Sequence, residues 1–164
     1  MVKEKNKLWA GIGSLLIALG IFFPFLTLIG LILLIFALKG FAETYKNETI
    51  FNMAAIGFTF YLIGTAGFGI LSFLFLLYFL QKIHLIILFF MLSGFFISLF
   101  YLLGTIFFKI SFDQLALVTK EENFRIFSLL LLIGGVLTIV LVGFILLFIA
   151  WILLAITFFS IKEE

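Results

Sequence analysis

Residues 8–38 read LWAGIGSLLIALGIFFPFLTLIGLILLIFAL, from Leu8 to Leu38: 31 residues without one charge. A single helix of that length would be about 46 Å long at about 1.5 Å per residue. The hydrocarbon layer of a bilayer is only about 30 Å thick. Pro24 lies near the middle, where it removes a backbone donor and disfavours helix at Phe23. The stretch therefore predicts a helical hairpin of two short arms, not one long helix. Lys3, Lys5 and Lys7 precede it like the basic region of a signal peptide. However, the apolar run is too long for such a segment and no small-x-small cleavage site follows, so it is read as a retained span.

Three more uncharged stretches follow: Thr49–Gln81, Ile83–Phe108 and Ile126–Ile161, of 33, 26 and 36 residues. A crossing needs roughly 17–25 apolar residues, so each supplies at least one. Ile126–Ile161 is again too long for one helix, with Gly143 near its midpoint and Gly134–Gly135 before it. Over the 164 residues, 66% are hydrophobic and 11% charged, against about 45–50% and about 25% in soluble domains. A soluble fold of this size could not cover that much apolar surface. The expected fold is an all-α integral membrane protein forming one polytopic domain over 1–164.

Charge placement decides the number of spans, because cytoplasmic loops are enriched in Lys and Arg. One span per stretch would put five basic residues on each side. Six spans put Lys3, Lys5, Lys7, Lys39, Lys46, Lys109, Lys120, Arg125 and Lys162 on one side and only Lys82 on the other. The expectation is thus six transmembrane helices, near 8–23, 25–40, 51–80, 83–108, 124–141 and 143–160. They form a hairpin, a long central hairpin and a hairpin in the cell membrane, with both termini cytoplasmic. Tyr45, Trp9 and Trp151 would lie toward the cytoplasmic face.

The outer hairpins, 8–40 and 124–160, resemble each other. Ser14-Leu15-Leu16 with Gly20 matches Ser128-Leu129-Leu130 with Gly134, and Gly30–Ala37 matches Gly143–Ala150. This fits either a parallel duplication or shared apolar composition, and paired Gly/Pro-interrupted spans can mark a transporter site. The central spans carry stripes of small and polar residues: Gly57, Tyr61, Gly64, Thr65 and Ser72 on one, Gly94, Ser98, Tyr101 and Thr105 on the other. With the turn between Gln81 and Lys82, Tyr61/Tyr101, Thr65/Ser98 and Gly57/Thr105 should be level within about one helical turn, so the stripes should face each other. In lipid such stripes let helices approach closely and bond across; a lining for a polar path is the other reading. The connections Lys39–Glu48 and Phe112–Glu122 read as interfacial helices or continuations of the spans, with Phe41/Tyr45 and Phe112/Leu115/Ala116 on one side.

Residues for chemistry are scarce. The four stretches contain no Asp, Glu, Lys or Arg, whereas ion pumps and proton relays carry intramembrane charges. Without cysteine there is no thiolate nucleophile or thiolate metal site. His84 stands alone at the outer end of the central hairpin and reads as solvated. Glu43, Asp113, Glu121 and Glu122 could cluster, but read as loop charges balancing Lys39, Lys46, Lys109 and Lys120. Asn47-Glu48-Thr49 matches a glycosylation acceptor on the side assigned to the cytoplasm. No catalytic, cofactor-binding or metal-binding residue is assigned, no cofactor is expected, and no basic patch suggests nucleic acid.

The run Val142-Gly143-Phe144-Ile145-Leu146-Leu147-Phe148-Ile149-Ala150-Trp151-Ile152-Leu153-Leu154-Ala155 resembles the C-terminal signature of the domain of unknown function 996 family. Ser111–Ala116 and Leu38–Ala42 resemble its inter-span segments. The resemblance implies a small multi-pass membrane protein of a mostly archaeal family without assigned activity. The leading functional expectation is a non-enzymatic structural or interaction protein, partnered by the bilayer and by itself or another membrane protein. The alternative is a small transporter or channel for an uncharged or lipid-like substrate. A polar, water-wide cavity reaching the mid-membrane would favour the alternative; a dry, close-packed centre with an exposed small-residue face would favour the first.

Overall fold

The computed structural model describes residues 4–20, 22–79, 83–137 and 142–161, apart from the side chains of residues 24, 68–69, 71–94 and 96–97. Ser72, Gly94, His84 and the Gln81–Lys82 turn, named above, fall outside the described side chains and residues. Six helices follow one another: α1 (Glu4–Gly20), α2 (Pro24–Tyr45), α3 (Glu48–Phe79), α4 (Ile83–Thr119), α5 (Glu122–Leu137) and α6 (Val142–Ser160). Four of them, α2, α3, α4 and α6, are long and apolar enough to cross a membrane. α1 and α5, with 17 and 16 residues, are shorter.

The break at Pro24 is as expected. Phe23 leaves the helical region, at φ −131° and ψ 88°, and Pro24 opens α2, where its missing donor costs nothing. The last helix begins at Val142, beside the expected start at 143, and Gly143 lies buried in its first turn. Gly134 and Gly135 are helical residues of α5. These glycines serve close packing rather than chain reversal. The connections at the other end are continuations of helices: α2 runs to Tyr45 and α4 to Thr119. Phe41, Phe112, Leu115 and Ala116 are all buried.

Each helix packs on its neighbours in the chain, and α6 returns to α1, so the six close into a ring. Lys7 seals this return. Its side chain is 8% exposed, and its Nζ donates to the Ile161 carbonyl at 2.5 Å. A cation there also meets the negative end of α6. At this end of the bundle, which holds both described chain ends, the ring is filled by aromatic side chains. Phe112 meets Phe127 at 4.6 Å between centroids and Phe124 at 6.2 Å. Phe158 meets Phe124 at 5.0 Å and Phe41 at 5.4 Å. Trp151 is 5% exposed and packs on Phe127 at 5.1 Å. Trp9 is half-buried, with Lys5 Nζ 4.5 Å above its ring.

The ring is apolar on the outside as well. Leu8, Ile12, Leu15 and Leu19 form an outward stripe on α1, and Ile126, Leu129, Ile133 and Val136 form one on α5. Their spacings of three and four are those of one helix face.

Two lysines end helices in the left-handed conformation, Lys46 at φ 51° and Lys120 at φ 58°. That region costs a side-chain-bearing residue roughly 1–2 kcal/mol, and glycine adopts it freely. Asn47, which follows Lys46, accepts the Thr49 amide at 3.1 Å and donates to Gln114 Oε1 at 3.3 Å. Its side chain thus caps α3 and ties it to α4, which gives the glycosylation-like tripeptide a structural role. Lys46→Gly should stabilise the fold by about 0.5–1 kcal/mol once glycine's own backbone entropy is counted. The midpoint of thermal unfolding in detergent should rise by about 2–4 °C; a fall would contradict this helix end.

Candidate functional site

The stripes on α3 and α4 do face each other, with Tyr61 and Tyr101 level as expected. Tyr61 OH lies 2.9 Å from Thr105 Oγ1, and Tyr101 OH lies 3.0 Å from Thr65 Oγ1. The two tyrosine rings meet edge to face at 4.7 Å. Gly57 faces Gly104: a Cβ on either would stand about 3 Å from the other's carbonyl oxygen, at 2.9 and 3.0 Å. Gly104 was not among the residues expected to matter. The signal for it is in the sequence: Phe60-Tyr61-Leu62-Ile63-Gly64-Thr65 on α3 is repeated as Phe100-Tyr101-Leu102-Leu103-Gly104-Thr105 on α4. In antiparallel helices the repeat sets up a local two-fold relation. Each tyrosine bonds the other helix's threonine and lies over the other helix's glycine, Tyr101 on Gly64 and Tyr61 on Gly104.

This hydroxyl cluster is one wall of a cavity of about 430 Å³. All six helices contribute to it. Ile17 and Gly20 come from α1, Thr27, Leu28 and Leu31 from α2, and Tyr61 and Thr65 from α3. Ser98, Tyr101 and Thr105 come from α4, Gly135 from α5, and Phe144, Leu147 and Trp151 from α6. Tyr61 rests on Phe108 at 5.5 Å and Trp151 on Phe127, so the aromatic filling bounds the cavity toward the end that holds Lys7. Its walls are mostly apolar, with the hydroxyls gathered on α2, α3 and α4. No charged side chain lines it among the described residues.

The cavity's size lies within the roughly 300–1,000 Å³ range of small-molecule sites, which are likewise mostly apolar with a few placed polar groups.

The charged residues lie elsewhere. Asp113 pairs with Lys109 one turn away on α4, and its other oxygen accepts the Ser128 hydroxyl of α5 at 2.5 Å. Asp113 is thereby joined to a lysine and a serine, not to Glu43, Glu121 or Glu122. Ser128 is wholly buried, as is its counterpart Ser14 in the first hairpin. Ser14, however, donates within its own helix to the Ala10 carbonyl at 2.7 Å.

No curated protein and no solved structure matches this chain. A family model does match it, over residues 26–152, which run from the second residue after Pro24 to the residue after Trp151 and include both hydroxyl motifs. The chain accordingly belongs to the family described as protein of unknown function, DUF996.

Proposed function

We propose that this protein crosses the membrane six times and acts without catalysis, holding or passing an uncharged, mostly apolar small molecule within its helix ring. The observation that carries the reading is the 430 Å³ cavity lined by all six helices. A charged ligand would have to leave water without a countercharge on these walls, which is prohibitive in an apolar setting. An apolar one would enter from lipid at little cost. The alternative of a structural or interaction protein ranks second, because the small residues that could have formed an outer docking face are used inside the chain. Gly13 packs on Gly30 and Gly57 on Gly104.

Six crossings are supported by the outward stripes of α1 and α5. Side chains such as Ile133 and Leu15 would otherwise face water as a continuous apolar surface. With 17 and 16 residues, these helices span about 24–26 Å at about 1.5 Å per residue, close to the hydrocarbon thickness. The nine-to-one distribution of basic residues supports cytoplasmic termini in the cell membrane.

Native mass measurement of the protein released from lipid nanodiscs tests the proposal. The wild type should carry an uncharged lipid-like adduct. Gly135→Leu, which directs a side chain at Thr105 across the cavity, should lose it while keeping its helical signal. Equal adducts in both proteins, or none in either, would contradict the reading.

A further inference from the structure

Proton accounting at the hydroxyl cluster says what the occupant must offer. We infer that the cavity selects its ligand through one uncharged hydrogen-bond acceptor, a carbonyl oxygen on an otherwise apolar molecule; this rests on the binding role proposed above. A hydroxyl has one proton to donate and two lone pairs to accept with. Thr65 donates its proton to the Tyr61 carbonyl oxygen at 2.8 Å. Tyr101 must then be the donor in its 3.0 Å bond to Thr65, so both protons of that pair are in use. The second pair breaks the two-fold relation. Tyr61 and Thr105 bring two protons to a single 2.9 Å contact, and neither hydroxyl has another partner among the described residues. One proton is left over. It is on Thr105 when Tyr61 donates and on Tyr61 when Thr105 donates.

Both residues line the cavity; Thr105 is only 2% exposed and Tyr61 is half-buried. A buried donor without an acceptor is costly, more so at low dielectric. Gly135 packs beside this hydroxyl: a Cβ there would stand 3.3 Å from Thr105 Oγ1, so a larger side chain would close this part of the cavity. A carbonyl oxygen entering over Gly135 would accept the spare proton, while the rest of the ligand lay against Leu28, Leu31, Phe144 and Leu147.

The test uses the full chain in nanodiscs with Trp9→Phe as background. Trp151 is then the only tryptophan, and its emission reports occupancy of the cavity it lines. The probes are a twelve-carbon methyl ketone and dodecane. The ketone should bind about threefold to tenfold more tightly, the value of one neutral hydrogen bond. Tyr61→Phe alone and Thr105→Val alone should each keep that preference, because each leaves one unpaired proton. The double variant should lose it while still binding dodecane. Thr65→Val should strengthen it by freeing the Tyr101 proton. Equal binding of ketone and dodecane by the wild type, or a preference that survives in the double variant, would overturn the inference and leave the binding role standing. An unchanged preference in Thr65→Val would also count against the accounting. If neither probe shifts Trp151 emission, both the inference and the binding role fall.

Discussion

Gly30→Leu should prevent the chain from accumulating as a folded, monodisperse bundle, and Gly30→Ala should already destabilise it. Helix propensity alone gives the opposite sign, since alanine is favoured over glycine in a helix interior by about 1 kcal/mol. The packing of α1 on α2 overrides it. A Cβ on Gly30 would stand 2.5 Å from the Gly13 carbonyl oxygen and 2.9 Å from the Ile17 amide nitrogen. The reverse holds too, with a Cβ on Gly13 at 2.8 Å from the Gly30 oxygen and 3.0 Å from the Leu34 nitrogen. These are backbone atoms, so no rotamer change can relieve the overlap and the helices must part. In lipid, where both faces of a helix find apolar surroundings, close packing is what holds helices together. The expected loss is about 1–3 kcal/mol for alanine, as for other overpacking, and beyond about 4 kcal/mol for leucine. Thermal unfolding followed by circular dichroism, with size-exclusion profiles in detergent, reads both. An alanine variant at or above wild-type stability would refute this helix contact.

Phe112→Ala should have the next largest effect, about 3–5 kcal/mol. Phe112 is fully buried and touches Phe108, Phe124, Phe127 and Phe158, so truncation opens the aromatic filling that joins α4, α5 and α6. The matched control is Phe95→Ala, on the same helix but 74% exposed, which should change stability by less than about 0.5 kcal/mol. Equal effects of the two substitutions in a thermal melt would mean that Phe112 is not central to the bundle.

Much of the helix layout could be read in advance because its signals are strong in any solvent. Pro24 cannot continue α1, so the first hairpin was legible. Charge clusters bracketed the central pair, and equal distance from the turn put the Tyr61 and Tyr101 stripes face to face. The inward faces were harder to read. In water, a polar outer face reveals the apolar inner one; in lipid both are apolar, and that contrast vanishes. That Trp151 turns inward against Phe127, and that Gly134 packs on Leu147 of α6, could therefore not be read from the apolar runs. Lys7 counted only as a basic residue, because nothing local shows that the end of α6 returns to it. The repeated Phe-Tyr-Leu-Ile/Leu-Gly-Thr hexapeptide was visible in the sequence, but its meaning needs the antiparallel pairing that crosses each tyrosine to the opposite threonine. The cavity exists only when all six helices meet, so no segment announces it.

A binding cavity within the membrane requires α1 and α5 to cross with the other four helices, since both line it. Labelling single cysteines with a membrane-impermeant reagent in intact cells tests this most directly, with Val2→Cys, Tyr45→Cys, Val118→Cys, Glu163→Cys and Lys82→Cys in a chain that has no native cysteine. Six crossings predict that only position 82 reacts from outside and that the other four react after the membrane is opened. Labelling of position 45 from outside in intact cells would contradict the six-span bundle.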